Sequence, residues 1–382
     1  MSTQVKEAFN SIMNLKEDFV SYMILAIVLL IIIIVIIYII SISRLNKSEC
    51  NYINKLYPNV NGNISPISSG IPDMSGNLYD YYVKTAFNAC SGGSYKNDVV
   101  DICNLKAVIK QGVRCLDFEI YSVDNQPVVS TSTVDSFFVK ETFNSVNFAS
   151  VMKTIHDYGM GSPGTTSSAS SLTCPNQSDP LIIHLRIKSN NQQMYTNLAN
   201  IFKSYSNYML GGSYSYENTG RNIGALPLTS FQNKIILVVD KNNNAFLENQ
   251  DFMEFVNLTS NSVFMRAYPY YDVKNISDLN ELTTFNKTGM TIVLPDKGVN
   301  PENPSGILSR AMGCQMIAMR YQYVDNNLEE NAQFFDRCGY AFCLKPEELR
   351  NKPVTIEKPK PQDPALSYAT RNITTDFYSF DI

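Results

Sequence analysis

The 382-residue chain contains only two histidines, His156 and His184, so imidazole chemistry has at most two places to occur. His184 stands two residues before Arg186, and Asp117 stands two before Glu119. Residues two apart on a strand share a face, so each pair projects from one side of a sheet. Paired carboxylates suit acid–base work or cation binding, and a histidine and an arginine on one strand could serve the same pocket. His156 falls within a helical stretch, Asn147–Tyr158, where a surface or packing role is expected. The eight cysteines are scattered, with no CxxC pair and no Cys/His cluster, which argues against zinc. Cys103, Cys115, Cys314 and Cys343 lie in apolar runs, where a buried thiol is the expected use. Asn63, Asn257 and Asn372 open Asn-x-Ser/Thr triplets, which arise readily by chance in so Asn-rich a chain. A net charge of −4 without a basic stripe gives nucleic-acid binding no support.

The elements that must position these residues follow from hydrophobic pattern. Phe19 to Ser43 is free of charge and rich in Ile, Leu and Val. At 1.5 Å per residue about 20 such residues cross a ~30 Å hydrocarbon layer, so this stretch is expected to be a transmembrane helix and the chain a single-pass integral membrane protein. A core helix would show a polar stripe, and a cleaved signal peptide would not carry Glu7, Glu17 and Asp18 before so long an apolar run. Flanking Lys and Arg differ by too little to set orientation. The organisation expected is an N-terminal segment over 1–18, the span over 19–43, a Pro-, Gly- and Asn-rich linker over 44–76, a folded domain over 77–355 and an extended tail over 356–382. The abundance of Asn, Ile and Lys and the absence of Trp fit an AT-rich genome, that of a protist or a large DNA virus infecting one. A virion or host-cell membrane would then hold the anchor.

Within the domain, strands are expected at Tyr81–Phe87, Val113–Ile120, Leu181–Ile187, Ile235–Val239, Val263–Tyr268, Met290–Leu294, Gln315–Tyr321 and Tyr340–Leu344. Helices are expected at Val99–Gln111, Asn147–Tyr158, Gln192–Tyr205, Leu247–Val256, Ile276–Leu282 and Leu328–Asp336. That alternation is the count and length of an α/β, TIM-type (β/α)₈ barrel. The interruptions at Gly159–Pro180 and Leu210–Gln232 follow helices, so they belong on the N-terminal face.

Two stretches resemble the phosphatidylinositol-specific phospholipase C family. Gly112-Val-Arg-Cys-Leu-Asp-Phe-Glu-Ile-Tyr121 through Val129, with Pro180-Leu-Ile-Ile-His-Leu-Arg186, is similar to strands of that family's X region. Gly313-Cys-Gln-Met-Ile-Ala-Met-Arg-Tyr-Gln322 with Gly339-Tyr-Ala-Phe-Cys-Leu344 resembles the end of its Y region. The resemblance runs from about Asn77 to Arg350 and implies a TIM-type barrel that cleaves inositol-lipid phosphodiesters with two histidines and a Ca²⁺ held by an Asn and three carboxylates. The chain departs from that pattern. Phe87 and Thr131 occupy the two histidine positions, while Asn88, Asp117 and Glu119 match metal ligands. Arg186 replaces the third carboxylate, and a guanidinium beside two acids is expected to pair with them. Val238 and Asp240 fall where phosphate-binding lysines stand, and Ile292-Val-Leu-Pro295 where the inositol is gripped; His184 is expected to be a core residue.

The expectation is therefore a membrane-anchored phospholipase C-like barrel with no intact catalytic residue and no cofactor, calcium being improbable. It would act as a binding or structural module whose expected partner is the lipid bilayer, with a protein as a further candidate. The alternative from another class is a phosphoric diester hydrolase with a rewired site, which would need His184 to face an open cleft.

Overall fold

The computed structural model describes residues 3–134, 138–160, 173–216, 220–352, 361 and 369–382. Most of the interruption at 159–180 and the Pro- and Lys-rich start of the tail lie outside them. The chain divides into a unit ending at Arg350 and a second, Asn351–Ile382. The second holds an antiparallel hairpin in which Asn372–Thr374 pairs with Ser379–Asp381.

Helix α1 runs from Thr3 to Leu56, and its stretch Phe19–Leu56 is long and apolar enough to cross a membrane, with a mean hydropathy of 3.7 in its most apolar window. Its side chains are exposed throughout Phe19–Ile40. The start of the expected linker, Arg44–Leu56, is helix instead. No Gly or Pro interrupts Phe19 to Tyr57, and Pro58 stops the helix because the residue before a proline is driven out of the α region. The remainder, to Gly76, is pinned to the barrel base by buried Ile64, Ile67 and Met74.

Eight parallel strands form the barrel: β1 Tyr81–Ala86, β2 Cys115–Val123, β3 Leu181–Ile187, β4 Ile235–Asp240, β5 Leu258–Ser260, β6 Met265–Pro269, β7 Met290–Leu294 and β8 Met316–Met319. They are ordered β5-β4-β3-β2-β1-β8-β7-β6, nearly closed, with no ladder between β5 and β6 among the described residues. Two expectations are corrected. Leu258–Ser260, a three-residue strand too short to show a period, supplies β5. The segment expected as the eighth strand, Tyr340–Leu344, instead contributes Phe342–Leu344, antiparallel to β1 at its N-terminal end.

Alternation along the strands sorts the core into two layers. Leu116, Phe118 and Ile120 of β2 and Ile183, Leu185 and Ile187 of β3 point outward, packing with Leu105, Val108, Phe148, Leu198, Phe202 and Phe252 of the surrounding helices. Cys115, Ile182, Ile236 and Met316 point inward and fill the barrel base. Higher up, the inward positions turn polar, because β2 reads Asp117 and Glu119 and β3 reads His184 and Arg186 in that register.

The cysteine expectation is also corrected in part. Cys115 and Cys314 are buried free thiols, as are Cys90 and Cys174. Cys103 is joined to Cys50, and Cys343 to Cys338. Sequence position could not reveal either bond, since Cys50 lies on α1, 53 residues before its partner.

Candidate functional site

Parallel register builds the site in two tiers. Asp117 lies beside His184, which lies beside Val238; one step higher, Glu119 lies beside Arg186. The strands thus bring together at the barrel mouth the five residues Asn88, Asp117, Glu119, His184 and Arg186.

Arg186 is the hub. Its Nε and Nη2 donate to Asp117 Oδ1 and Oδ2 at 3.0 and 2.8 Å, its Nη1 to Glu119 Oε1 at 2.7 Å, and its Nη2 also to Asn88 Oδ1 at 2.9 Å. The guanidinium carbon sits 4.6 Å from the centre of the Phe87 ring, a cation–π contact. The other acceptor sites are taken as well. Glu119 Oε2 accepts from Tyr121 Oη at 2.8 Å and from the Ser132 amide at 3.0 Å. Asp117 Oδ2 accepts from the Asn88 amide at 3.2 Å, and Asn88 holds a left-handed backbone, φ 43°, to deliver it.

His184 is fully buried. Its Nδ1 lies 2.7 Å from Asp117 Oδ1 and its Nε2 3.0 Å from Ser260 Oγ, so both ring nitrogens are engaged inside the barrel. Burial alone would raise the Asp117 carboxyl, but Arg186 and the His184 hydrogen bond hold it well below the usual carboxylate range. Two negative charges and one shared guanidinium therefore form a buried, hydrogen-bonded lock.

The two positions expected to lack histidine offer no replacement acid or base. Phe87 packs edge-on against Tyr95 at 5.5 Å, and Thr131 donates its hydroxyl to the Tyr95 carbonyl at 3.1 Å. His156 lies apart, in a π-helical turn over Ile155–Gly159, against Tyr205 and Tyr208.

Above the lock is a cleft of about 80 Å³ lined by Phe87, Glu119, Arg186, Asp240, Asn242 and Lys297. Asp240 accepts from Asn261 at 2.8 Å and Asn242 at 3.2 Å, which blunts its charge. Sequence reasoning missed Ser260, Asn242 and Asn261; the Asp-Lys-Asn-Asn run after β4 was the only signal for Asn242. It also missed Glu141, which accepts from Ser132 and from the amide and hydroxyl of Thr133. These hydrogen bonds hold its carboxyl down at about 2.

A Ca²⁺ ion would need six to eight oxygen ligands. The donor set does not fit it: each carboxylate oxygen of Asp117 and Glu119, and the side-chain oxygen of Asn88, already accepts from Arg186 or from another donor described above. The Arg186 guanidinium lies among these acceptors.

No protein-family model matches the chain, and no curated protein matches it in sequence. Its fold is nevertheless that of the phosphatidylinositol-specific phospholipase C barrels. The L. pealei PLC21 structure superposes with a TM-score of 0.56 at 16% identity over 73% of this chain. The S. officinalis PLC21 structure does so at 0.55 and 17% identity, also over 73%. The chain spans 38% of the length of each.

Proposed function

We propose that this is a membrane-anchored barrel of the phospholipase C fold in which an internal ion-pair lock stands where a catalytic metal would sit, and that it serves as a non-catalytic binding or structural module. The observation that carries this reading is the bonding of Arg186 to all three side chains that match metal ligands, Asn88, Asp117 and Glu119. General acid–base catalysis typically contributes ~10²–10⁴-fold per positioned group, and no imidazole faces the cleft. The apolar span of α1 supports a fixed bilayer as one partner; a protein partner at the mouth is compatible with the same geometry.

The rewired-diesterase reading requires His184 to reach a substrate, and its burial and two hydrogen bonds count against that. The test is turnover of labelled phosphatidylinositol in mixed micelles, with and without Ca²⁺, by the full chain and by His184→Ala, with circular dichroism to check folding. No turnover above background in either protein is expected. Turnover by the unmodified chain that disappears in folded His184→Ala would overturn the proposal.

A further inference from the structure

The end of α1 gathers three metal-binding side chains outside the polar tiers of the barrel. It lies against the helix Ile102–Lys110: Cys50 is bonded to Cys103, and Asn46 Nδ2 donates to Asp101 Oδ2 at 2.9 Å, Asp101 being the N-cap of that helix. One ligand atom each from Cys50, Cys103 and Asp101, two sulfurs and a carboxylate oxygen, all lie within 4.8 Å of one another, and the three residues are half-buried. The cysteines are 53 residues apart, so the sequence shows no cluster there. The carboxylate is oriented from both sides. Its Oδ1 accepts from the Cys103 amide at 2.8 Å and its Oδ2 from Asn46, and hydrogen bonds of this kind position a ligating group. Cys103 stands in the first turn of a nine-residue helix, whose positive end favours a thiolate. Beside the cluster is a cavity of about 380 Å³ walled by Asn54, Asp101, Cys103, Lys106, Lys110 and Tyr158. It gives solvent and solutes a way in, and its lysines balance negative charge at the cluster.

We propose that the reduced chain holds one soft dication, of which Zn²⁺ is the type, on Cys50, Cys103 and Asp101, so that a metal takes over from the disulfide as the tie between α1 and the barrel. Two sulfurs and one oxygen are a donor set for a tetrahedral ion of this kind, not for Ca²⁺, which takes six to eight oxygens. With Zn–S bonds of about 2.3 Å, neighbouring ligands of a tetrahedral site stand about 3.8 Å apart, a spacing the three atoms reach by small side-chain rotations. The fourth position is left to a water from the cavity. The exchange balances in electrons and protons. A dithiol gives two electrons and two protons to the Cys50–Cys103 bond and is itself oxidised to a disulfide; the dication then displaces the two thiol protons into solution. Either link joins the same two residues, so either constrains the unfolded chain in the same way.

The test uses the full chain in detergent, reduced with a phosphine, exchanged into metal-free buffer without oxygen, and given Zn²⁺ or Co²⁺, with circular dichroism to check folding. One Zn²⁺ per reduced chain is expected to survive gel filtration, and the Co²⁺ form should show thiolate-to-cobalt charge-transfer absorption. The oxidised chain should show neither. Reduction also opens the Cys338–Cys343 bond, so Cys338→Ser is the control that should keep the ion. Cys50→Ser should lose both signals. Asp101→Asn keeps the helix cap, since Asn caps as well as Asp, and should weaken Zn²⁺ binding at least about tenfold. Zn²⁺ should also raise the melting temperature of the reduced chain and leave that of reduced Cys50→Ser unchanged. A folded, reduced chain that retains no Zn²⁺ overturns the proposal, as does retention undiminished in Cys50→Ser. Unchanged affinity in Asp101→Asn overturns the three-ligand site.

Discussion

Arg186 grips Asp117 with two parallel hydrogen bonds, Nε to Oδ1 at 3.0 Å and Nη2 to Oδ2 at 2.8 Å, a bidentate geometry that lysine cannot reproduce. Removing the guanidinium leaves two buried carboxylates without their counter-charge. Arg186→Met should therefore lower unfolding stability by about 3–5 kcal/mol, the usual cost of breaking a buried pair. Arg186→Lys should cost less, and Arg186→Met combined with Asp117→Asn and Glu119→Gln should recover part of the loss. Urea unfolding of the full chain in detergent measures all three. A loss under about 1 kcal/mol in Arg186→Met would mean that the lock is not a structural element.

The lock also predicts indifference to calcium. A ligand that binds only the folded state raises the melting temperature by mass action. Millimolar Ca²⁺ should leave the melting temperature of the full chain unchanged, since a dication would have to displace Arg186 from acceptors it already fills. A Ca²⁺-dependent rise, absent with Mg²⁺, would contradict the assignment.

Much of this was legible in sequence, for reasons specific to each element. Strand β4 is an apolar run up to Asp240, and β3 and β7 are apolar but for His184, Arg186 and Thr291; buried parallel strands of this kind are ones that pattern finds. The i, i+2 spacing of Asp117 with Glu119 and of His184 with Arg186 put all four on the inner face before any register was known. What sequence could not supply was long-range. β5 has three residues and is defined by its pairing with β4, not by a pattern of its own. Ser260 meets His184 only because those strands close around it. Cys50 meets Cys103 only because the end of α1 runs down the side of the barrel, and nothing in the spacing announces that docking.

Two lysines buried in the barrel base give the protein a measurable alkaline response. Burial, partly offset by Asp336, pulls Lys84 down to about 8; burial, partly offset by Cys314 and Asp80, pulls Lys345 down to about 7. Both are 1% exposed. Each releases its proton more readily folded than unfolded, so the unfolded chain binds more protons between those values and the ordinary 10.5. Stability should then rise with pH from about 7 upward, by about 1 kcal/mol per pH unit for each lysine inside its window. Above about pH 10 the effect should reverse, as buried tyrosines such as Tyr82, pushed up by burial, begin to matter. Lys345→Met should flatten the lower part of the profile. A melting temperature that stays constant or falls from neutral pH to about pH 9.5 would refute the assignment.

The disulfides make a prediction that can be counted. Of eight cysteines, four are paired and four, Cys90, Cys115, Cys174 and Cys314, are buried free thiols. Burial pushes the Cys90 and Cys115 thiols far up, so neither is a thiolate at neutral pH. Alkylation of the native full chain should add almost no label; alkylation after denaturation without reductant should add four labels, and after reduction eight, read by intact mass. Cys50→Ser should give five labels in the denatured, unreduced state, because Cys103 loses its partner. Closing a loop of 53 residues constrains the unfolded chain by about 4 kcal/mol on the loop-entropy estimate. Cys50→Ser should therefore lower the melting temperature of the barrel. Eight labels without reductant would show that both bonds are absent from the mature protein, and the end of α1 would then be held to the barrel by non-covalent contacts such as those of Asn46, Glu49 and Ile53.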